Sequence, residues 1–408
     1  MSMYIESIHI ENVGPFKKLD AQFNPGMNII IGANGVGKTS LLRCITNCMT
    51  RNSMENMRLR KDAQFKLNCN LGEKKMTYGA DRLVSKDQNY RHFEVENWNV
   101  TPEEGYLPEM IFKEKDYNLL AIGAYRNILY SSIEGMKKES LGAERRNSYL
   151  KNNPSYLDSM AMPNIKQWMI NRYFIIGKDW AVNEKSNWDT VMSNLHVIAP
   201  RESKFKFVRI GRDLEPVFSL NDSECYLEEL SSGFKSTLSI VFLIVDWIEG
   251  INEGEASIIG NAIGTVLIDE IDAHLHPSWQ ATILSSLRTL FPKLQFIVTT
   301  HSPNVIMSAK EKEVMIFNNE DGVVNLQSDG RSFGAWQVSA VLSDIMQAPG
   351  LDYIDISDAL SDISHAYKDG DIGKYKEILD YLEKVLNPND PILKVYHIRL
   401  GELELRHD

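Results

Sequence analysis

Three short stretches of this chain carry residue types that together could hold and cleave a phosphoanhydride. The first is Gly32-Ala33-Asn34-Gly35-Val36-Gly37-Lys38-Thr39, which fits the phosphate-loop pattern G-x-x-x-x-G-K-[ST] at every position. Its glycines let successive backbone N–H groups turn inward at phosphate oxygens. Lys38 is long enough to reach the β- and γ-phosphates, and the Thr39 hydroxyl can complete a magnesium shell. The second stretch is Asp269-Glu270, directly after the apolar run Thr265–Ile268. Asp269 is placed to hold magnesium through its water shell, and Glu270 to polarise an attacking water as a base. The third is His301, which caps the apolar run Leu294–Val298 and can reach the γ-phosphate. Hydrolysis of a γ-phosphate needs charge neutralisation and a positioned water more than covalent chemistry. This set supplies both, so the chain is expected to bind a nucleoside triphosphate.

The elements that position these residues follow from local pattern. Asn28–Ile31 is a continuous apolar run of the kind buried in a parallel sheet, and Thr39–Met49 forms the helix whose positive end faces the same anion. Tyr4–Ile10 and Leu19–Phe23 alternate as strands, and with Asn28–Ile31 they are expected to make an opening meander. Phe16, just after the first strand, either stacks on a base or packs in the core. Gln64–Asn70 and Lys75–Tyr78 read as flanking antiparallel strands. Leu119–Tyr125 is another apolar strand, and Arg126 at its end either senses phosphate or makes a surface ion pair.

From Ile133 to about Pro200 the texture is helical, with patterns over Tyr156–Tyr173 and Asp189–Ile198, and is read as an insertion or lid. Its basic residues Lys137, Lys138, Arg145, Arg146 and Lys151 either touch nucleic acid or form a solvated loop. Phe205–Ile210 and Leu214–Leu220 suggest a hairpin. Leu230-Ser231-Ser232-Gly233 then stands at the N-terminus of a long apolar helix, where it is either an N-cap or an anion site. A helix from Pro277 to about Leu290 shows an apolar stripe of Trp279, Ile283, Leu287 and Leu290. Val314–Phe317 and Val323–Leu326 are further strands, and beyond about Phe333 the pattern is helical, broken at Asn387–Pro391. Four segments are therefore expected: a first lobe with the phosphate loop (1–132), the helical insertion (133–200), a second lobe (201–330) and a helical tail (331–408).

Composition narrows the class. The net charge of −11 argues against wholesale coating of nucleic acid, though not against a local basic groove. The longest apolar run, Leu238–Ile248, is interrupted by Asp246 and falls short of the ~20 residues of a membrane span. Cys44, Cys48, Cys69 and Cys225 form no C-x-x-C pair and are expected as reduced packing thiols of a cytoplasmic protein.

Taken together, GANGVGKTS, LSSGFKS, LIDEIDAHLHP and TTHS resemble the ABC-type ATPase heads over about Met3–Phe317. That resemblance implies an α/β P-loop NTPase fold, a mixed central sheet with flanking antiparallel strands, a helical insertion and a helical C-terminal tail. It implies ATP and Mg2+ as ligands. Asn34, Gly35, Val36, Gly37, Lys38, Thr39 and Ser40 would then hold phosphate, with Thr39 and Asp269 on the metal. Glu270 would be the base, His301 a switch, and Ser231 with Gly233 would meet the γ-phosphate of a second copy across a symmetric dimer. Asp272, His274 and His276 lie where these heads have a dimer-contacting loop, although local hydrogen bonding accounts for the two histidines equally well.

Ile271-Asp272 followed by His-Leu-His-Pro is similar to the soluble branch of that family, the RecF-, SMC- and OLD-like ATPases. The insert is too short and lacks the heptads of long SMC arms. No acidic E…D-x-D constellation follows Phe317, so intrinsic nuclease activity is not expected. What remains looks like the ATPase subunits of Septu-type and retron-associated anti-phage systems. Those imply a homo-oligomer that regulates a separate effector from the same operon, often an HNH nuclease. The helices of Ser357–Leu405 are either the interface for this or simple packing. The alternative is a RecF-like repair ATPase acting on duplex DNA.

Overall fold

A computed structural model describes residues 3–49, 57, 59–72, 75–85, 93–101, 118–140, 142–158, 163–199, 201–334, 336, 338, 341, 354–385 and 391–407. The chain forms two compact units, 1–346 and 347–408. The first contains all three segments expected at 1–132, 133–200 and 201–330. It also takes in the start of the expected tail, because Phe333 and Val341 are buried in its core.

Among the described residues, the first unit is built on an eleven-stranded sheet. Its strands are β1 Met3–Val13, β2 Phe16–Gln22, β3 Met27–Ile31, β4 Leu59–Leu71, β5 Lys75–Ser85, β6 Phe93–Thr101, β7 Leu119–Ile122, β11 Gly264–Ile268, β12 Leu294–Thr299, β13 Val314–Glu320 and β14 Val323–Ser328. A separate three-stranded sheet holds β8 Lys206–Ile210, β9 Pro216–Leu220 and β10 Ser223–Tyr226. The large sheet runs β6-β5-β4-β1-β2-β14-β13-β3-β12-β11-β7. β13, β3, β12, β11 and β7 pair in parallel, whereas β2, β1, β4, β5 and β6 pair antiparallel. The expected opening meander is not formed. The β13–β14 hairpin is inserted between β2 and β3, with Val324 opposite Leu19 on one side and Met315 opposite Ile30 on the other.

The parallel strands β3, β7, β11 and β12 are buried along their whole length and mostly apolar because both faces are covered. Ile29, Ile31, Leu120, Ile122, Val266 and Ile268 enter one core, while Ile30, Leu119, Ala121 and Leu267 enter the opposite one. Each of the valine, leucine and isoleucine side chains among them contributes about 1.5–3 kcal/mol by leaving water. The second face is covered by helix α1 (Lys38–Met49), which buries Leu41, Leu42, Ile45 and the thiols of Cys44 and Cys48. Burial pushes both thiols well above their ordinary pKa, as befits packing groups.

Helix α2 (Gly142–Leu157) lies beside β7 and sends Tyr149 and Tyr156 into the first core and Leu150 and Leu157 into the second, while the first face is covered by α3 (Ile165–Ile175), α4 (Val182–Ser193) and the long α5 (Ser232–Ile251). These helices share one core with the sheet, so the 133–200 segment is part of the body of this unit. The helix expected from Pro277 is two pieces, a single turn at Pro277–Gln280 and α6 (Ile283–Leu290), but its apolar stripe is buried as expected. One edge of the sheet ends on a side chain. Asn153 of α2 accepts from the Ala121 N–H and donates to the Leu119 carbonyl, both at 2.9 Å, taking the place of a strand beside β7.

Among the described residues, the second unit holds α7 (Ile354–Asp369), α8 (Ile372–Val385) and α9 (Pro391–His407). It has its own core of Ile363, Tyr375, Leu379, Leu382, Leu393, Tyr396 and Leu403. Among the described residues, no helix is long and apolar enough to cross a membrane.

Candidate active site

In a parallel sheet, ligands are met at the carboxyl ends of the strands. Here β3, β12, β11 and β7 are neighbours in register, with Thr299 opposite Ile30, Ile268 opposite Val298 and Ile268 opposite Ile122. The segments beginning at Gly32, Thr300, Asp269 and Gly123 therefore leave from one edge. Residues far apart in sequence meet there.

The phosphate loop runs from β3 into α1. Gly37 has φ +114°, and a Cβ there would lie 2.8 Å from the Phe16 ring. Only glycine fits both conditions. Phe16 is itself fully buried, 6.1 Å from Phe317 between ring centroids, and packs beneath the loop. Of its two sequence readings, core packing is the one the structure adopts. Lys38 curls back over the loop, its Nζ donating to the carbonyls of Gly32 (2.9 Å) and Ala33 (3.0 Å). Burial lowers its pKa, while Asp269, Glu270 and Asp272 pull it up. Asn34 and Gly35 are exposed, and Val36, Thr39 and Ser40 are half-buried.

Thr39 Oγ1 donates to Asp269 Oδ2 at 2.8 Å, joining the loop to the end of β11. The other Asp269 oxygen accepts from Thr299 Oγ1 at 2.6 Å. Thr299 Oγ1 in turn accepts from the Glu270 N–H at 2.8 Å. Glu270 sits at φ +45°, a left-handed conformation that costs a non-glycine residue of order 1–3 kcal/mol. The residue is exposed at the rim of the site.

His301 follows β12, with Asp272 Oδ1 accepting from the Thr300 hydroxyl (2.5 Å) and from the His301 N–H (3.3 Å). Burial and then the Lys38 charge lower the His301 pKa from 6.5, against the pull of Asp272, Glu270 and Asp269. The folded protein therefore binds fewer protons here than the unfolded chain between that lowered value and 6.5. The stability gained from neutral His301 is full above 6.5 and is lost as pH falls through the folded value. The melting temperature of wild type relative to His301→Asn should accordingly fall as pH drops from 7.5 to 5.5. A constant advantage or deficit across that range would contradict this environment for the ring.

Arg126 is not at the surface, and its donors are taken up within the fold. It is buried, with Nε donating to Ser236 Oγ (3.0 Å) and Nη1 to the carbonyls of Gly123 (2.7 Å) and Asp269 (2.8 Å). Nη2 donates to the carbonyls of Glu270 (2.7 Å) and Ile271 (3.5 Å). All five guanidinium donors are thus engaged by the protein itself. Burial pushes its pKa down to about 10 although Asp272, Asp269 and Glu270 raise it, so it stays charged at neutral pH.

The serine motif begins α5. Ser231 is the N-cap residue, yet its side chain makes no capping hydrogen bond, and both Ser231 and Ser232 are exposed. Gly233 is buried where a Cβ would lie 2.3 Å from the Trp279 ring, so the loop after β11 packs directly on this helix end. In that loop His274 is exposed, and His276 caps the Pro277–Gln280 turn through Ser278.

The basic stretch divides. Lys137, Lys138 and Lys151 are exposed. Arg145 instead pairs with Asp246 inside the fold, and Arg146 donates to the Ile251 carbonyl at 2.7 Å. Two of the five cations considered for nucleic acid therefore serve the packing of α2 on α5.

Sequence reasoning misses Thr299, Ser236, Asp272 as a bridge, and Gln280, which accepts from the Ser302 hydroxyl at 2.7 Å. A signal exists for two of them. Thr299 is a hydroxyl at the last position of a buried strand, and Ser236 is a polar residue on the core side of an apolar helix.

Fold and site define an ABC-type ATPase head. Residues 4–325 match the RecF/RecN/SMC N terminal domain, and the chain belongs to that family. It is 25% identical over 419 residues to the Septu protein PtuA of Bacillus thuringiensis, covering 98% of each chain. It is 41% identical over 116 residues to the "Retron Vc95 probable ATPase" of Vibrio cholerae serotype O1 biovar El Tor, a match spanning 28% of this chain and 22% of that one. Among solved structures, an SMC head bound to the C-winged helix domain of ScpA matches at a TM-score of 0.48 and 15% identity, covering 80% of this chain and 98% of that one.

Proposed function

We propose that this chain binds and hydrolyses ATP as a head that encloses nucleotide with a second copy of itself, and that this cycle governs a separate effector in bacterial anti-phage defence. The observation that carries the chemistry is the meeting of Lys38, Thr39, Asp269, Glu270 and His301 at one sheet edge. Backbone N–H groups of Asn34–Ser40 and the Lys38 ammonium neutralise the phosphates.

The Thr39 hydroxyl and the Asp269 carboxylate are hard oxygen donors joined at 2.8 Å, a set that fits Mg2+. The ion, when bound, supplies charge neutralisation at the phosphate oxygens. Thr299 holds Asp269 from behind. Glu270 polarises the attacking water, and the His301 ring, neutral at pH 7, faces the terminal phosphate. Ser231 and Gly233 of the second copy close the site; the exposed Ser231, which does not cap its own helix, supports that assignment.

The defence role rests on the likeness to the Septu and retron ATPases, and the effector is proposed as a protein encoded beside this chain, such as an HNH nuclease. The helical second unit, 347–408, is proposed to serve the assembly or the effector. The test is a phage plating assay on cells carrying the chain with its neighbouring genes. Plaque numbers should fall with the wild-type locus and recover with Lys38→Ala. Equal plaque numbers in both strains would overturn the defence reading, without touching the assignment of the nucleotide site.

A further inference from the structure

We propose that Arg126 is a positioning residue that ties the left-handed turn bearing Glu270 to the serine-tipped helix α5, so that base and helix end move as one body. The inference rests on the ATPase reading of the site and adds a part to it.

Three observations converge on this tether. Arg126 donates to the carbonyls of Asp269 and Glu270 themselves, and to that of Gly123 at the end of the adjacent strand. Its Nε–H goes to Ser236, one turn inside α5. Ser236 then donates from the same hydroxyl to the Ala273 carbonyl at 3.2 Å, in the loop after Glu270. The turn itself is strained at φ +45°, and it is held from the other side by Thr299. A non-glycine residue persists in that conformation only where its surroundings over-determine it. A planar fork with five fixed donors can satisfy five acceptors at once, whereas a lysine offers a single compact ammonium.

The consequence for turnover follows from geometry. If the helix end shifts when it meets a nucleotide, Arg126 carries that shift to the Glu270 main chain and so to its carboxylate. The hydrogen-bond partners of Arg126 and Ser236 lie outside the phosphate loop, at Gly123, Asp269, Glu270, Ile271 and Ala273, and Asp269 reaches Thr39 of that loop through its carboxylate, which the tether does not hold.

The experiment measures ATP affinity with a non-hydrolysed analogue and steady-state turnover on the full chain, for wild type, Ser236→Ala, Arg126→Lys and the double variant. Ser236→Ala removes one hydroxyl and should lower kcat roughly tenfold, and Arg126→Lys roughly a hundredfold, with analogue affinity unchanged in both. The double variant should be no slower than Arg126→Lys alone, since both break the same link. A purely structural role would lower melting temperature without separating kcat from affinity. Ser236→Ala with wild-type kcat overturns the tether even if Arg126→Lys fails to fold. Loss of analogue affinity in step with kcat overturns it in favour of a direct phosphate contact. A wild-type chain that does not turn over ATP overturns both the tether and the ATPase reading.

Discussion

Replacing Lys38 with alanine should weaken ATP binding by at least about a hundredfold, because two charge-assisted hydrogen bonds to phosphate, each worth about 1.5–3 kcal/mol, are lost together. The loop would also lose the clasp that Lys38 makes on the Gly32 and Ala33 carbonyls. Titration calorimetry with ATP and Mg2+ measures this directly. Unchanged affinity would remove the phosphate loop from its assigned place. The fold should survive, since the core beneath the loop is made by Phe16, Phe317 and the apolar face of α1, none of which the substitution alters.

Glu270→Gln should lower turnover by about 10²–10⁴-fold, the usual contribution of a positioned general base, while leaving nucleotide affinity intact. The backbone of this residue is held through its N–H by Thr299 and through its carbonyl by Arg126. Neither contact uses the carboxylate, so the amide should occupy the same place and the loss can be read as chemistry. Trapped nucleotide should also trap the proposed closed pair of heads, visible as a doubled mass with saturating ATP. Turnover equal to wild type would favour a nucleotide-locked scaffold, and a monomer at saturating ATP would count against closure by a second copy.

The parts of this site that are contiguous in the chain can be read from residue order alone. Glycine spacing, Lys38-Thr39 and an apolar run ending in Asp269-Glu270 are local patterns, and local patterns survive folding. Long-range partnerships leave no such mark. Nothing near Arg126 announces that its donors go to the Asp269 and Glu270 carbonyls and to Ser236, so a buried guanidinium reads as a phosphate sensor or a surface ion pair. Arg145 looks like part of a basic patch because its partner Asp246 lies about a hundred residues away. The placement of the β13–β14 hairpin between β2 and β3 is likewise a matter of non-local pairing. β10 escapes notice because Ser223–Tyr226 is short and mostly exposed and shows no apolar alternation.

The amide of Asn153 bears on how copies of this molecule can associate. A row of unpaired main-chain groups invites another chain to add itself as a strand. At β7 the inviting positions, Leu119 and Ala121, are already taken by a side chain from α2. Growth of the sheet beyond this rim is therefore blocked, and a second chain approaching β7 meets the side of α2 in place of an open row of main-chain donors and acceptors.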